Sequence, residues 1–239
     1  MIRAFLVVLV TFAYMVVVGP PVLIYAAISG NGEPVYRVGK LGARIAVWLA
    51  GARLEIHGLD QIPRGRPVVF MANHQSNCDP PALLAVMPRV LVLVKKEFFR
   101  VPILGRGMLA CGFIPVDRRN REQALEAVER GVQALKAGKS FLVYPEGTRS
   151  PDGRLQRFKK GVFVMAIKAG AAIVPVSVSG SNKIMPKGEF VMRPGGVRIT
   201  FHETVATDGF AIEDRQAIID RVRQGILAGL EKDEWPIGQ

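Results

Sequence analysis

Seven short runs rich in β-branched residues recur along the chain, at residues 53–57, 67–71, 90–94, 112–116, 140–144, 173–178 and 197–202. Each is bounded by glycine, proline or charge, which is how strands read when turns punctuate them. Helical patterns lie between several of them. Residues 121–137 are the clearest, with Leu125, Val128, Val132 and Leu135 predicted on one face and Asn120 with Gln123 placed to form a capping pair. A last helix is expected over residues 212–230. Strands alternating with helices specify the α/β class: a single domain with a mixed, roughly seven-stranded sheet flanked by helices on both faces. No internal repeat or linker divides it, and 239 residues suit one such core better than two.

The N-terminus is different in kind. The 25 residues 4–28 contain no charged side chain, and as one straight helix they would reach about 37 Å, more than the roughly 30 Å of a bilayer core. Gly19, Pro20 and Pro21 interrupt the run. Two consecutive prolines remove two backbone donors and disfavour helix in the residue before them, so a break is expected there. Residues 4–18 alone would span only about 22 Å, which favours a half-inserted hairpin or a tilted anchor. Beyond a polar hinge at 29–34, residues 41–54 place Leu41, Ile45, Trp48, Leu49 and Ala52 at helical spacing near Lys40, Arg44 and Arg53. Tryptophan beside basic residues suits the headgroup layer, and an amphipathic helix packed on the domain has the same pattern. Ala27 and Ser29 fit a signal-peptide cleavage site loosely, but the apolar run is longer than a usual signal core, so retention is expected. The chain therefore divides into a membrane-associating helical region, 1–54, and an α/β domain, 55–239.

A formal net charge of +12 attracts anions, whether nucleic acid, anionic lipid or an anionic substrate. The basic residues come in small groups along the whole chain, such as Lys95 with Lys96, Arg118 with Arg119, and Lys159 with Lys160. That spacing fits a pocket for a small anion and not a nucleic-acid track, and a mean hydropathy of +0.24 points to a membrane. The composition excludes a disordered chain, a collagen-like repeat and a disulfide scaffold. Cys78 and Cys111 read as reduced, small core residues. His57, His74 and His202 lie too far apart for a metal-ligand motif. Gly138-Lys139-Ser140 mimics the end of a phosphate loop, but Gln133 stands where its leading glycine belongs.

Chemistry concentrates after the second run, in Asn73-His74-Gln75-Ser76-Asn77-Cys78-Asp79-Pro80-Pro81. Positions five apart lie about 140° apart on a helix, so His74 and Asp79 can meet only across a turn. There Asp79 would fix the imidazole tautomer and leave the other ring nitrogen free to take a proton from a hydroxyl. Asp79 followed by two prolines and Ala82-Leu83-Leu84 is also an ordinary helix start, with an N-cap and proline at N1. Ser76 and Cys78 are explained by turn formation and packing.

With this segment three others follow in order: Gly112-Phe113-Ile114-Pro115-Val116-Asp117-Arg118, Pro145-Glu146-Gly147-Thr148-Arg149-Ser150 and Ile173-Val174-Pro175-Val176. Together the four blocks resemble the glycerophospholipid acyltransferases, most closely the 1-acyl-sn-glycerol-3-phosphate acyltransferases, over roughly the middle hundred residues. Tyr144 stands where members often carry phenylalanine before Pro-Glu-Gly. The resemblance implies that His74 is the general base with Asp79 as its partner, and that Arg118, Glu146, Gly147, Thr148 and Arg149 line the acceptor site. Lys95 is a further phosphate candidate, and Phe158-Lys159-Lys160-Gly161 matches another segment of the family. The residue types agree, because a phosphomonoester calls for charge-assisted donors in fork geometry, which arginine supplies. Surface ion pairs of Arg118 and Arg149 with Asp117 and Glu146 are the plainer alternative.

The expected reaction transfers an acyl group directly from acyl-CoA or acyl-carrier protein to the sn-2 hydroxyl of lysophosphatidic acid, giving phosphatidic acid. It needs no cofactor, no metal and no acyl-enzyme, and the thioesters enter as substrates. The alternatives are glycerol-3-phosphate or another lysolipid as acceptor, and a non-catalytic module that binds anionic lipid. Arg3 precedes the apolar run while Arg37, Lys40 and Arg44 follow it, which places the domain on the cytoplasmic face of a membrane.

Overall fold

The computed structural model describes residues 1–117 and 119–237. Along the chain run α1 (Ile2–Ser29), α2 (Glu33–Ala50), β1 (Ala52–His57), β2 (Val69–Ala72), α3 (Asp79–Val86), β3 (Leu91–Lys95), α4 (Leu104–Ala110) and β4 (Ile114–Val116). They are followed by α5 (Arg121–Lys136), β5 (Phe141–Val143), α6 (Gly161–Ala169), β6 (Ile173–Ser179), α7 (Ser181–Ile184), β7 (Gly195–Phe201) and α8 (Arg215–Ala228). All seven strands expected from the sequence are present. They form one sheet in the order β1-β7-β6-β2-β5-β3-β4, parallel at every pairing except β6 with β7.

The sheet is covered on both faces because its central strands are apolar on both. Along β2, Val69 and Met71 enter a core shared with α5, α6 and α8, while Phe70 and Ala72 enter a second core against α2 and α3. A strand buried on both sides reads as a continuous apolar run, as this one does. Pro175 lies within β6, where its carbonyl accepts the amide of His202 just past the end of β7. Its missing N–H faces the same way and interrupts no pairing of the ladder.

Two helical expectations need correction. The first is the break at Gly19-Pro20-Pro21, for α1 runs unbroken through both prolines. The lost donors free carbonyls one turn back, and a helix supported by neighbours tolerates this. Here the support is visible: the Tyr14 hydroxyl donates to the Val38 carbonyl of α2 at 3.0 Å, and a Cβ on Gly19 would lie 2.5 Å from Ile103, so that side chain is seated on the helix at the Gly-Pro-Pro site. The second concerns residues 41–54. The amphipathic helix begins earlier, at Glu33, because Pro34 occupies the first turn, where it costs no hydrogen bond. It ends at Ala50 on Gly51, whose φ of 72° closes the helix and turns the chain into β1. Trp48 on α2 is 77% exposed. On α5, Asn120 accepts the amide of Gln123 as a cap, but Leu125 faces solvent and the buried face is Ala127, Gly131, Val132 and Leu135.

Candidate active site

Parallel strands send their C-terminal ends to one edge of the sheet, which is where α/β proteins place their ligands. The turn after β2 carries His74 and Asp79, and the turn after β5 carries Glu146 to Arg149. Asn73 pins the first turn down: its side-chain amide donates to the Val178 carbonyl at 2.8 Å, and its carbonyl oxygen accepts the Val178 amide at 2.7 Å. The second turn closes on the first through the Ser150 amide, which donates to the His74 carbonyl at 2.8 Å.

Asp79 folds back as the spacing requires. One carboxylate oxygen, Oδ2, accepts His74 Nδ1–H at 2.8 Å and the amides of Gln75 and Ser76, each at 2.7 Å. The N-cap role expected of Asp79 is not realised. Asp79 is itself the first helical residue, and its carboxylate points backward into the turn. The following Pro80 and Pro81 have no amide to offer. A carboxylate that accepts the Nδ1 proton fixes the tautomer and leaves Nε2 as the ring's acceptor. The Asp79 side chain is fully buried, while 15% of the His74 side chain reaches solvent.

The Tyr144 ring stacks on the His74 ring, with centroids 4.2 Å apart and planes inclined by 23°. Its hydroxyl is buried without a hydrogen-bond partner among the described residues, as are Asp79 Oδ1 and Gln75 Nε2. Burial, and then the charge of Asp79, push the phenol well above its ordinary 10. Tyr144 was read from the sequence only as a departure from a common phenylalanine. Its contact with His74 was invisible there because a strand end places a side chain by tertiary packing, 70 positions from its partner.

Glu146 is buried and turned inward. Oε1 accepts the His74 amide at 2.8 Å, and Oε2 accepts the Gln156 amide at 3.4 Å. Burial pushes its carboxyl up to about 8, against the opposing pull of those two amides. Arg223 of α8 donates to the Gln156 carbonyl at 2.8 Å and so braces the far side of this link. Gly147 holds φ of 75°, a conformation that costs glycine nothing, and its amide donates to the Tyr144 carbonyl. Thr148 is exposed. The Arg149 carbonyl accepts Lys187 Nζ at 2.8 Å, while its guanidinium has no carboxylate partner among the described residues. The ion pair with Glu146 is therefore not formed.

Lys95 ends β3 and pairs with Glu97 at 3.2 Å. The carboxylate of Asp117 is engaged by Lys96 and by the Arg119 amide. Arg118 lies outside the described residues. The fourth block, Ile173 to Val176, is buried core at the start of β6. Among the described residues no group of three histidine, cysteine or acidic side chains could hold a metal ion. Cys78 and Cys111 are free and buried.

Residues 53–179 match the acyltransferase family, more than half of the chain. The chain belongs to the acyltransferase family. It is 37% identical over 170 residues to the chloroplast 1-acyl-sn-glycerol-3-phosphate acyltransferase LPAT1 of Arabidopsis thaliana, covering 70% of this chain and 48% of that protein. The chain thus spans about half the length of the first curated relatives it matches. The 1-acyl-sn-glycerol-3-phosphate acyltransferase of Borreliella burgdorferi is 28% identical over 189 residues, with 79% of this chain and 76% of that one covered. Among solved structures of the acyltransferase family, the 1-acyl-sn-glycerophosphate acyltransferase PlsC from Thermotoga maritima superposes with a TM-score of 0.82 at 27% identity, covering 95% of this chain and 94% of that one.

Proposed function

We propose that this acyltransferase esterifies the sn-2 hydroxyl of 1-acyl-sn-glycerol-3-phosphate with an acyl group from a thioester, yielding phosphatidic acid. The observation that carries this reading is the His74–Asp79 pair, which leaves Nε2 as a base at the partly open end of the turn. The substrate hydroxyl passes its proton to Nε2 while its oxygen attacks the thioester carbonyl. The C–O bond forms, the C–S bond breaks, and the imidazolium returns the proton to the departing thiolate. Asp79 holds the imidazolium charge, and Tyr144 and Glu146 hold the ring and its backbone in place. Arg149, with no carboxylate partner among the described residues, is the foremost phosphate ligand, and Lys95, Thr148, Gly147 and Arg118 complete the proposed acceptor site. Direct transfer depends on holding both substrates in line, which is what a phosphate clamp contributes.

The long apolar helix supports a membrane location. α1 has the length and composition to cross a bilayer and is mostly uncovered by the rest of the chain. An acceptor and product that carry acyl chains are then met in the leaflet, on the cytoplasmic face by the charge asymmetry.

The test is acceptor-dependent thiol release by detergent-solubilised protein, with acyl-CoA and acyl-carrier protein compared as donors. His74→Ala should abolish release with the fold retained. Release without an acceptor would identify a thioesterase, a preference for glycerol-3-phosphate would move the acceptor, and full activity in His74→Ala would sink the base assignment.

A further inference from the structure

Residues 95–110, from the last residue of β3 toward β4, leave the sheet at the edge that carries His74. A 3-10 turn at Lys96–Arg100 and then α4 make up most of the segment. A soluble surface would be polar here. Instead Phe98 is 51% exposed and Leu109 56%, and Val101 and Leu104 are also exposed. An apolar group of this kind marks a contact with another body.

The segment is also joined to α1. Ile103, a β-branched residue held at φ 62°, lays its side chain on Gly19. Such a conformation persists only where the surroundings enforce it. At the other end, the Ala110 carbonyl lies 1.9 Å from where a Cβ on Gly32 would stand, so backbone meets backbone. Like residues 98–109, α1 presents uncovered apolar side chains, Phe12, Val17 and Ile24 among them. The same segment carries Lys95, Lys96, Arg100 and Arg106 against the single acid Glu97. Lys95 and Lys96 are paired with Glu97 and Asp117, but Arg100 and Arg106 have no carboxylate among the described residues.

We infer that residues 98–109 form a second membrane contact, seated in the headgroup and upper acyl layer of a bilayer containing anionic lipid. The inference rests on the reading that α1 lies in that bilayer. Phe98, Val101, Leu104 and Leu109 enter the acyl boundary while Arg100 and Arg106 extend their charged ends to the phosphates, the arrangement amphipathic segments adopt at an interface. Two contacts, one on α1 and one on this segment, fix the tilt of the sheet edge toward the leaflet, so that a lipid acceptor approaches His74 from within it.

Single nitroxide labels on the full chain in phosphatidylcholine–phosphatidylglycerol vesicles test this. Labels are placed at Phe98→Cys, Leu104→Cys, Phe12→Cys and Leu125→Cys, all exposed positions, while Cys78 and Cys111 are buried. Oxygen and a water-soluble nickel chelate then report depth by collision. Positions 12, 98 and 104 should collide with nickel severalfold less often than position 125 and more often with oxygen. Labels at 98 and 104 that stay as nickel-accessible as 125, while 12 is protected, would refute the second contact and leave the α1 reading intact. Accessibility at all four would refute both. Spin–spin broadening at 104 that survives lipid dilution would put a second copy of the chain on the patch and overturn the lipid assignment.

Discussion

Replacing Tyr144 by phenylalanine removes one buried oxygen and leaves the ring in place. The hydroxyl has no hydrogen-bond partner among the described residues, so in folding it exchanges water for nothing. A buried polar group left in that state costs about 1–3 kcal/mol. The phenylalanine ring keeps the 4.2 Å stack on His74, and the void left by one oxygen returns only a small penalty. Tyr144→Phe should therefore stabilise the chain by about 1–2 kcal/mol. For a protein of this size that corresponds to a rise in Tm of about 2–8 °C. Circular dichroism of the full chain in detergent measures the shift, and urea unfolding should show a higher midpoint at unchanged slope. A lower or unchanged Tm would refute the reasoning, since it would mean that the hydroxyl has a partner in solution. Turnover should remain within about twofold, because the stacking surface that orients His74 is retained.

Asp79→Asn replaces a carboxylate that holds three donors with a neutral oxygen. Charge-assisted bonds are roughly twice as strong as neutral ones, so stability should fall by about 2–3 kcal/mol. Turnover should fall by about 10²-fold or more, and a variant as active as the parent would remove Asp79 from the mechanism. For Glu146 the sign follows from a carboxyl raised from 4.5 to about 8. The folded chain binds the extra proton between those values, so this group's contribution to stability falls as pH rises through that window and levels off above it. Thermal unfolding of the parent and Glu146→Gln should diverge in the variant's favour from pH 5 to about 8, and parallel curves would contradict the burial argument. Burial pushes the thiols of Cys78 to about 12 and Cys111 to about 11. Iodoacetamide at mildly alkaline pH should leave both unmodified until the chain unfolds, as mass spectrometry would show.

The elements that depend on local periodicity were legible in the sequence. β2 and β6 announce themselves as continuous apolar runs, and the His74–Asp79 spacing by itself requires a turn if the two side chains are to meet. What was missed depends on contacts between distant positions. The prolines of α1 predict a break by local rules, and the helix survives because α2 and the side chain of Ile103 support it. Leu125 has the spacing of a core residue but faces solvent. The inward turn of Glu146 and the grip of Asn73 on β6 join residues that only the sheet order brings together. Charge composition points to an anion, but that Arg149 lacks a carboxylate partner among the described residues follows only from the inward turn of Glu146.

The strand order also sets a schedule for synthesis. β2, which ends at the His74 turn, pairs with β5 and β6, both made long after it, and β1 pairs only with β7, the last strand to emerge. Distant pairings fold slowly, because the loop entropy is lost before the contacts form. A nascent chain would therefore carry unpaired strand edges behind α1 until β7 is complete, and during that interval it is open to aggregation or chaperone capture. Truncation before Gly195, which removes all of β7, should then yield no partially active fragment, because β1 would lose the strand it pairs with and β6 would lie bare along one side.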